Sequence, residues 1–253
     1  MLPRICFRRG EDMVGWFAFS GVRRFTLERT VLLGMPLLRL NVPAPRNERA
    51  AIRRAVRGAQ LLGRAGCRRV LVPAGFPYWE QLRERGLRGV DPEPMVQALA
   101  VPLALADLSR RGIEPSKAAV ALQGERVNRA FFEAAQMLCP RVRLLSIAAP
   151  NGGEDLRRFL REEFGAAALE AEALTPDCTL LFSPSHTEEA TRTGEQPLHL
   201  YGWEPRLNGL AVRSKEEAVP EGLEPLPVLA LLWEEGRIST DELEIFADNR
   251  RGN

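Results

Sequence analysis

Closely spaced cysteines are missing from this 253-residue sequence. Cys6, Cys67, Cys139 and Cys178 stand singly, no C-x-x-C occurs, and neither of the two histidines, His186 and His199, sits at metal-ligand spacing from one of them. That excludes a zinc ribbon or finger and a disulfide framework, and it points to reduced structural thiols. Long apolar runs are missing as well. No stretch approaches the ~18–20 residues that span a bilayer, and the opening MLPRICFRRG has no apolar segment behind its basic residues, so no membrane span is expected and the expected location is the cytoplasm. Lysine is almost absent, with Lys117 and Lys215 the only two. The length suffices for a substantial core without staples.

The charge is unevenly spread. The net value is +2, but residues 1–69 carry 15 arginines and four acids, net +11, which leaves −9 on residues 70–253. A basic segment of this kind is a footprint for nucleic acid or an anionic surface, or the face that docks on the acidic remainder of the same molecule. Its densest part, Arg46 to Ala65, has helical period. Ile52, Ala55, Val56, Ala59 and Leu62 form one stripe, and Arg49, Arg53 and Arg57 another at four-residue intervals. With no aromatic interleaving and no reading motif, a solvated face is the expectation, and nucleic acid is disfavoured as a partner.

Three regions follow from the pattern. Residues 1–45 are rich in β-branched and aromatic residues punctuated by Ser20-Gly21 and Gly34-Met35-Pro36, the signature of a β-meander. Residues 46–197 alternate short apolar runs with helical stretches. Strands are expected at RRVLVP, GLRGV, AAVAL (118–122), RVRLLSIA (141–148), AAALEA (166–171) and DCTLLFS. Helices are expected at Trp79–Arg85, Pro94–Arg111, Arg126–Leu138 and Glu154–Phe164. Such alternation predicts an α/β fold: a Rossmann-like, mostly parallel sheet with helices on both faces, preceded by the N-terminal β-meander. Residues 198–253 read as a covering tail. It holds a hairpin in LHLYGWEPRLNGLAV turning at Glu204-Pro205 or Asn208-Gly209, a helix from Val228 to Glu235, and a capping box at Ser239-Thr240-Asp241-Glu242 for another.

In a parallel sheet the ligand crevice lies beyond the carboxyl ends of the strands. The loops expected there supply the candidate binding residues: Gly75, Gly124, Asn128, Asn151, Gly152, Gly153, Ser183, Ser185 and His186. Asn151-Gly152-Gly153 has the makings of an anion-binding nest, although Glu154 and Asp155 already complement that helix N-terminus and favour a plain capping turn. His186, behind Ser185, reads as a general base or as part of a capped surface turn with Glu188. His199, in an apolar β run, reads as structural. Phe76, Tyr78 and Trp79 read either as a stack for a flat ligand or as packing at a strand-to-helix junction, and packing is the expectation.

Across residues 117–185, VALQGERVNRAFFEAAQ, LLSIAAPNGGEDLRRFLREEFGAAAL and DCTLLFSP resemble in layout the NAD(P)-binding domain of shikimate dehydrogenase and glutamyl-tRNA reductase. The resemblance implies a dinucleotide held at G-x-G-x-x-G. Those positions fall on Leu122, Gly124 and Val127, so only the central glycine is present. Glu125 stands where a pyrophosphate would lie, and the ribose-binding acid about 20 residues on is missing. NAD and NADP are therefore disfavoured, and no cofactor is expected. No nucleophile, base and carboxylate can be assembled from the spacing. The sequence favours a non-catalytic binding or scaffold protein that takes a small polar or singly charged ligand. An NAD(P)- or nucleotide-dependent enzyme ranks second, and nucleic-acid or anionic-surface binding through the arginine helix third.

Overall fold

The computed structural model describes residues 13–165, 175–184, 196–216 and 218–248. The expected strand at 166–171, Ser185 and His186 lie outside them. The chain forms two compact units, one from the described residues up to Val90 together with Val219–Leu232, the other from Asp91 to Ala218 and from Trp233 onward. These boundaries differ from divisions at 45/46 and 197/198.

The first unit is built on a five-stranded sheet, β1 (Val14–Ser20), β2 (Thr26–Leu32), β3 (Met35–Pro43), β4 (Arg69–Leu71) and β5 (Arg88–Gly89), in the order β2-β3-β1-β4-β5. The strand-rich N-terminal segment is present, but it is not a meander. β2 and β3 form an antiparallel hairpin, turning at Leu33-Gly34 with both residues at positive φ, whereas β1 pairs in parallel with β3 and with β4. The reason lies in α1 (Glu48–Arg64), which carries the chain from β3 past β1 to β4 as a crossover.

Asn47 caps α1, its side chain accepting from Ala50 N–H. The buried stripe is Ala51, Ala55, Gly58, Ala59 and Leu62, rotated from the expected one, so that Ile52 is 36% exposed. Gly58 sets this rotation, because a Cβ there would come within 2.5 Å of the Phe17 ring, and only glycine lets helix and sheet approach so closely. Arg49, Arg53 and Arg57 are exposed. Phe76 is buried edge-on against Phe17, Tyr78 and Trp79, the last opening α2 (Trp79–Arg83), at centroid distances of 5.2, 5.5 and 5.7 Å, so these rings pack as expected.

The second unit holds a four-stranded, wholly parallel sheet of β6 (Ala119–Gln123), β7 (Leu144–Ala148), β8 (Cys178–Leu181) and β9 (Leu198–His199), in the order β7-β6-β8-β9. The helix expected over 94–111 is two, α3 (Glu93–Ala98) and α4 (Ala100–Arg110). Pro102 explains the break, since it has no N–H for the Ala98 carbonyl and its ring crowds that oxygen. α5 (Arg129–Leu138) and α6 (Gly153–Phe164) follow β6 and β7. In the tail the expected hairpin shrinks to one antiparallel bridge, His199 to Arg206. Asn208-Gly209 does form a tight turn, but β10 (Leu210–Ser214) pairs with β11 (Leu243–Ala247) instead. The capping box at Ser239 forms with Glu242, yet it caps a 3-10 turn that runs into β11 and not a further helix. α7 (Pro225–Glu234) matches the expected tail helix. The chain is thus an α/β protein of mostly parallel sheets, and among the described residues no helix is long and apolar enough to cross a membrane.

Candidate functional site at the carboxyl edge of the second sheet

Two sheets, not one, receive the candidate loops. Gly75 follows β4 in the first unit, where its N–H donates to Glu224 Oε1 at 3.2 Å, and it is separated by topology from the others. Gly124, Asn128, Asn151, Gly152, Gly153 and Ser183 all follow β6, β7 or β8 and gather on one edge.

At that edge most of the expected binding groups are already bonded to one another. Gly124 N–H donates to Ala148 O at 2.9 Å, Glu125 N–H to Ser183 Oγ at 2.9 Å and Val127 N–H to Asn151 O at 2.9 Å. In return Asn151 donates from its backbone and from Nδ2 to Glu125 O, at 3.2 and 3.1 Å. The loops after β6 and β7 are therefore joined by a parallel bridge between Arg126 and Asn151, which delays α5 to Arg129. Asn128 caps that helix, accepting from Phe131 N–H at 2.8 Å. Gly153 N–H turns back to Ala149 O, so the Asn151-Gly152-Gly153 segment is a helix-entry turn. Gly152 is required there, with φ +90° and Val127 Cβ only 3.4 Å from where its own Cβ would stand.

In the loop after β6, where a pyrophosphate would need free amides, three N–H groups are committed. A Cβ at Gly124 would meet Phe182 Cβ at 3.3 Å and the Phe131 ring at 3.5 Å, so the approach that the glycine would give a ligand is taken by the protein's own rings.

The strand order moves the crevice. Chain leaves β6 toward β7 on one side and returns to β8 on the other, so consecutive crossovers diverge between β6 and β8. There a buried polar network joins residues that sequence reasoning missed. Gln97, 5% exposed, donates from Nε2 to Glu93 Oε1 at 3.1 Å and to Phe182 O at 3.3 Å, and accepts from Asn128 Nδ2 at 2.9 Å. Glu93 Oε2 accepts from Gly202 N–H at 2.8 Å. The signal was a lone amide in the apolar run MVQALAVPLALA.

Gln123, ending β6, is different. It is 9% exposed, and its Oε1 is buried without a partner among the described residues. Parallel register puts it on the same sheet face as Ser146 and Thr179, one row back on either side of Ala121, and as His199, across Leu181. Ser146, 1% exposed, also has its Oγ buried with no partner among them. Two orphaned polar atoms on one face with Ala119, Ala121 and Ala148 are exceptional, because each buried polar group left unbonded costs about 1–3 kcal/mol. His199 Nδ1 lies 3.0 Å from Tyr201 OH, and burial, aided by the charge of Arg206, lowers the imidazole pKa. Burial pushes the Cys67 thiol up to about 12 and raises that of Cys139, so neither is poised as a nucleophile. Among the described residues no cluster of His, Cys, Asp or Glu could hold a metal ion.

A parallel α/β architecture with its crevice at a crossover defines a fold class, not a reaction. No protein-family model matches this sequence, and no curated protein sequence does. Solved structures to which the chain is similar include L-tryptophan dehydrogenase from Nostoc punctiforme, at 12% identity over 67% of this chain and 56% of that one with a TM-score of 0.29. Another is unliganded arylmalonate decarboxylase, at 17% identity over 78% of this chain and 98% of that one with a TM-score of 0.24. The chain spans little more than half the length of the tryptophan dehydrogenase, and likeness at this level says nothing of activity.

Proposed function

We propose that this is a non-catalytic binding protein for a small, neutral or singly charged polar ligand, held at the carboxyl edge of the second sheet on the face of β6 and β7 that bears Gln123 and Ser146. The observation that carries the reading is the pair of orphaned atoms, Gln123 Oε1 and Ser146 Oγ, on one face of that sheet. Gln123 Oε1 is an acceptor, so the ligand brings an N–H or O–H donor to it, and Ser146 can donate or accept in reply. Glu93, Glu125 and Glu154 near the same edge disfavour a multiply charged phosphate. NAD and NADP are disfavoured further by the committed loop amides. A thermal-shift panel of primary amides, polyols, amino acids, carboxylates, nucleotides and both nicotinamide dinucleotides tests this on dialysed protein. The reading expects stabilisation by a neutral or singly charged compound, lost in Gln123→Met. Stabilisation by nucleotides alone would overturn it.

A further inference from the structure

The first unit carries an independent feature on the sheet face turned away from α1. α1 packs on the face bearing Phe17 and Leu40, as the contacts at Gly58 show. Strand alternation puts Trp16, Ala18 and Ser20 of β1 on the opposite face, with Arg39 and Asn41 of β3 and Thr26 and Glu28 of β2. Register aligns Trp16 with Arg39 and Glu28 in one row, and Ala18 with Asn41 and Thr26 in the next.

The charges in these rows are not paired as the register would suggest. Glu28, opposite Arg39, accepts from Asn41 Nδ2 at 2.8 Å, and the same amide reaches Thr26 Oγ1 at 3.2 Å. Arg39 instead lies over the Trp16 ring, its Cζ 4.3 Å from the centroid, and its Nε is buried without an acceptor. It forms no ion pair among the described residues. Ser20 Oγ, at the carboxyl end of β1, is also buried and unpartnered. Between them lies Ala18, 9% exposed, and Leu71 of β4, buried, stands level with Trp16 on the same face.

From this we infer a second ligand site, specific for a small organic monocarboxylate with a flat body. A guanidinium held rigid by stacking offers its fork to a carboxylate in plane, and the missing acceptor at Nε is what such a group supplies. The Trp16 ring suits a flat body, with Ser20 and Asn41 within two strand rows for a further polar group. The net +11 of residues 1–69 draws anions to this unit, while Glu28 in the same row penalises a dianion and so sets carboxylate apart from phosphate.

The site does not depend on the proposal for the second sheet, and the test keeps the two apart. Fluorine NMR of 4-fluorobenzoate with the full chain should show saturable line broadening. Arg39→Gln should weaken binding about tenfold or more, and Trp16→Leu should weaken it as well. Arg39→Lys, which keeps the charge without the fork, should give an intermediate loss that reads the role of geometry even if the glutamine variant folds poorly. Gln123→Met should leave binding unchanged, and inorganic phosphate should not compete. No broadening with wild type up to about 10 mM, equal binding by Arg39→Lys and Trp16→Leu, or displacement by phosphate at similar concentration would each overturn the assignment.

Discussion

Two buried glutamines of the second unit should respond to the same substitution with opposite signs. Methionine is close to glutamine in volume and fills irregular spaces, so exchange mainly removes the amide. At Gln123 the amide oxygen is buried and unbonded, a liability of about 1–3 kcal/mol in the ligand-free protein, and Gln123→Met should stabilise by about 1–2 kcal/mol. At Gln97 three hydrogen bonds are lost, leaving Asn128 Nδ2 and Phe182 O short of a partner, and Gln97→Met should destabilise by about 2–4 kcal/mol. Urea titration of dialysed protein reads both. With a slope of about 3 kcal/mol/M, the first variant moves the midpoint up by roughly 0.5 M and the second moves it down by about 1 M. Ser146→Ala should also stabilise. Its row adjoins that of Gln123, so the double variant should not be additive. If Gln123→Met destabilises by 1 kcal/mol or more, Oε1 is satisfied in the free protein and the argument for a ligand at that face fails.

Glycine-to-alanine exchange in α1 gives another signed pair. Gly63→Ala, with its nearest new neighbour at 3.7 Å, should gain about 0.5–1 kcal/mol from helix propensity. Gly58→Ala forces its Cβ onto Phe17 and should lose about 1–2 kcal/mol net, so equal melting shifts would refute the packing of α1. Leu33, at φ 50° in the β2–β3 turn, should be improved by asparagine by about 0.5–1 kcal/mol in the same assay. His199 has a folded pKa below its ordinary value of 6.5, so its contribution is present above that pH and lost as pH falls through the lowered value. The urea midpoint of wild type should fall more between pH 7.5 and 5 than that of His199→Gln, and parallel declines would contradict the shift. DNA binding should be weak and salt-labile at most, and tight binding at physiological salt lost on replacing Arg49, Arg53 and Arg57 together would refute this.

The parallel units of the second sheet were legible because apolar runs such as AVAL and LLSIA alternate with amphipathic helices, and that pattern has few other solutions. Long-range pairing was not. Nothing local in β1 says that it lies between β3 and β4, and nothing in RRVLVP separates a strand of the first sheet from one of the second. The candidate site was legible as an edge, since Gly124 and Gly152 do follow adjacent parallel strands. Its occupancy by the protein's own hydrogen bonds was hidden, because Asn128 and Asn151 look alike as free ligand groups, helix caps or loop ties until the partners are known. Gln123 escaped notice for a related reason. A polar residue at a strand end is ordinary in sequence, and only the register that sets it beside Ser146 and Thr179 makes it unusual.

In the proposed reading, the loop after β6 spends its amides on the protein's own acceptors and leaves the edge to a ligand smaller than a dinucleotide. Calorimetric titration of dialysed protein with NAD and NADP, each oxidised and reduced, decides whether that loop can still hold a pyrophosphate. No saturable heat is expected, a dissociation constant weaker than about 1 mM, since the amides of Gly124, Glu125 and Val127 are bonded to Ala148, Ser183 and Asn151. A micromolar dissociation constant for any of the four would contradict it.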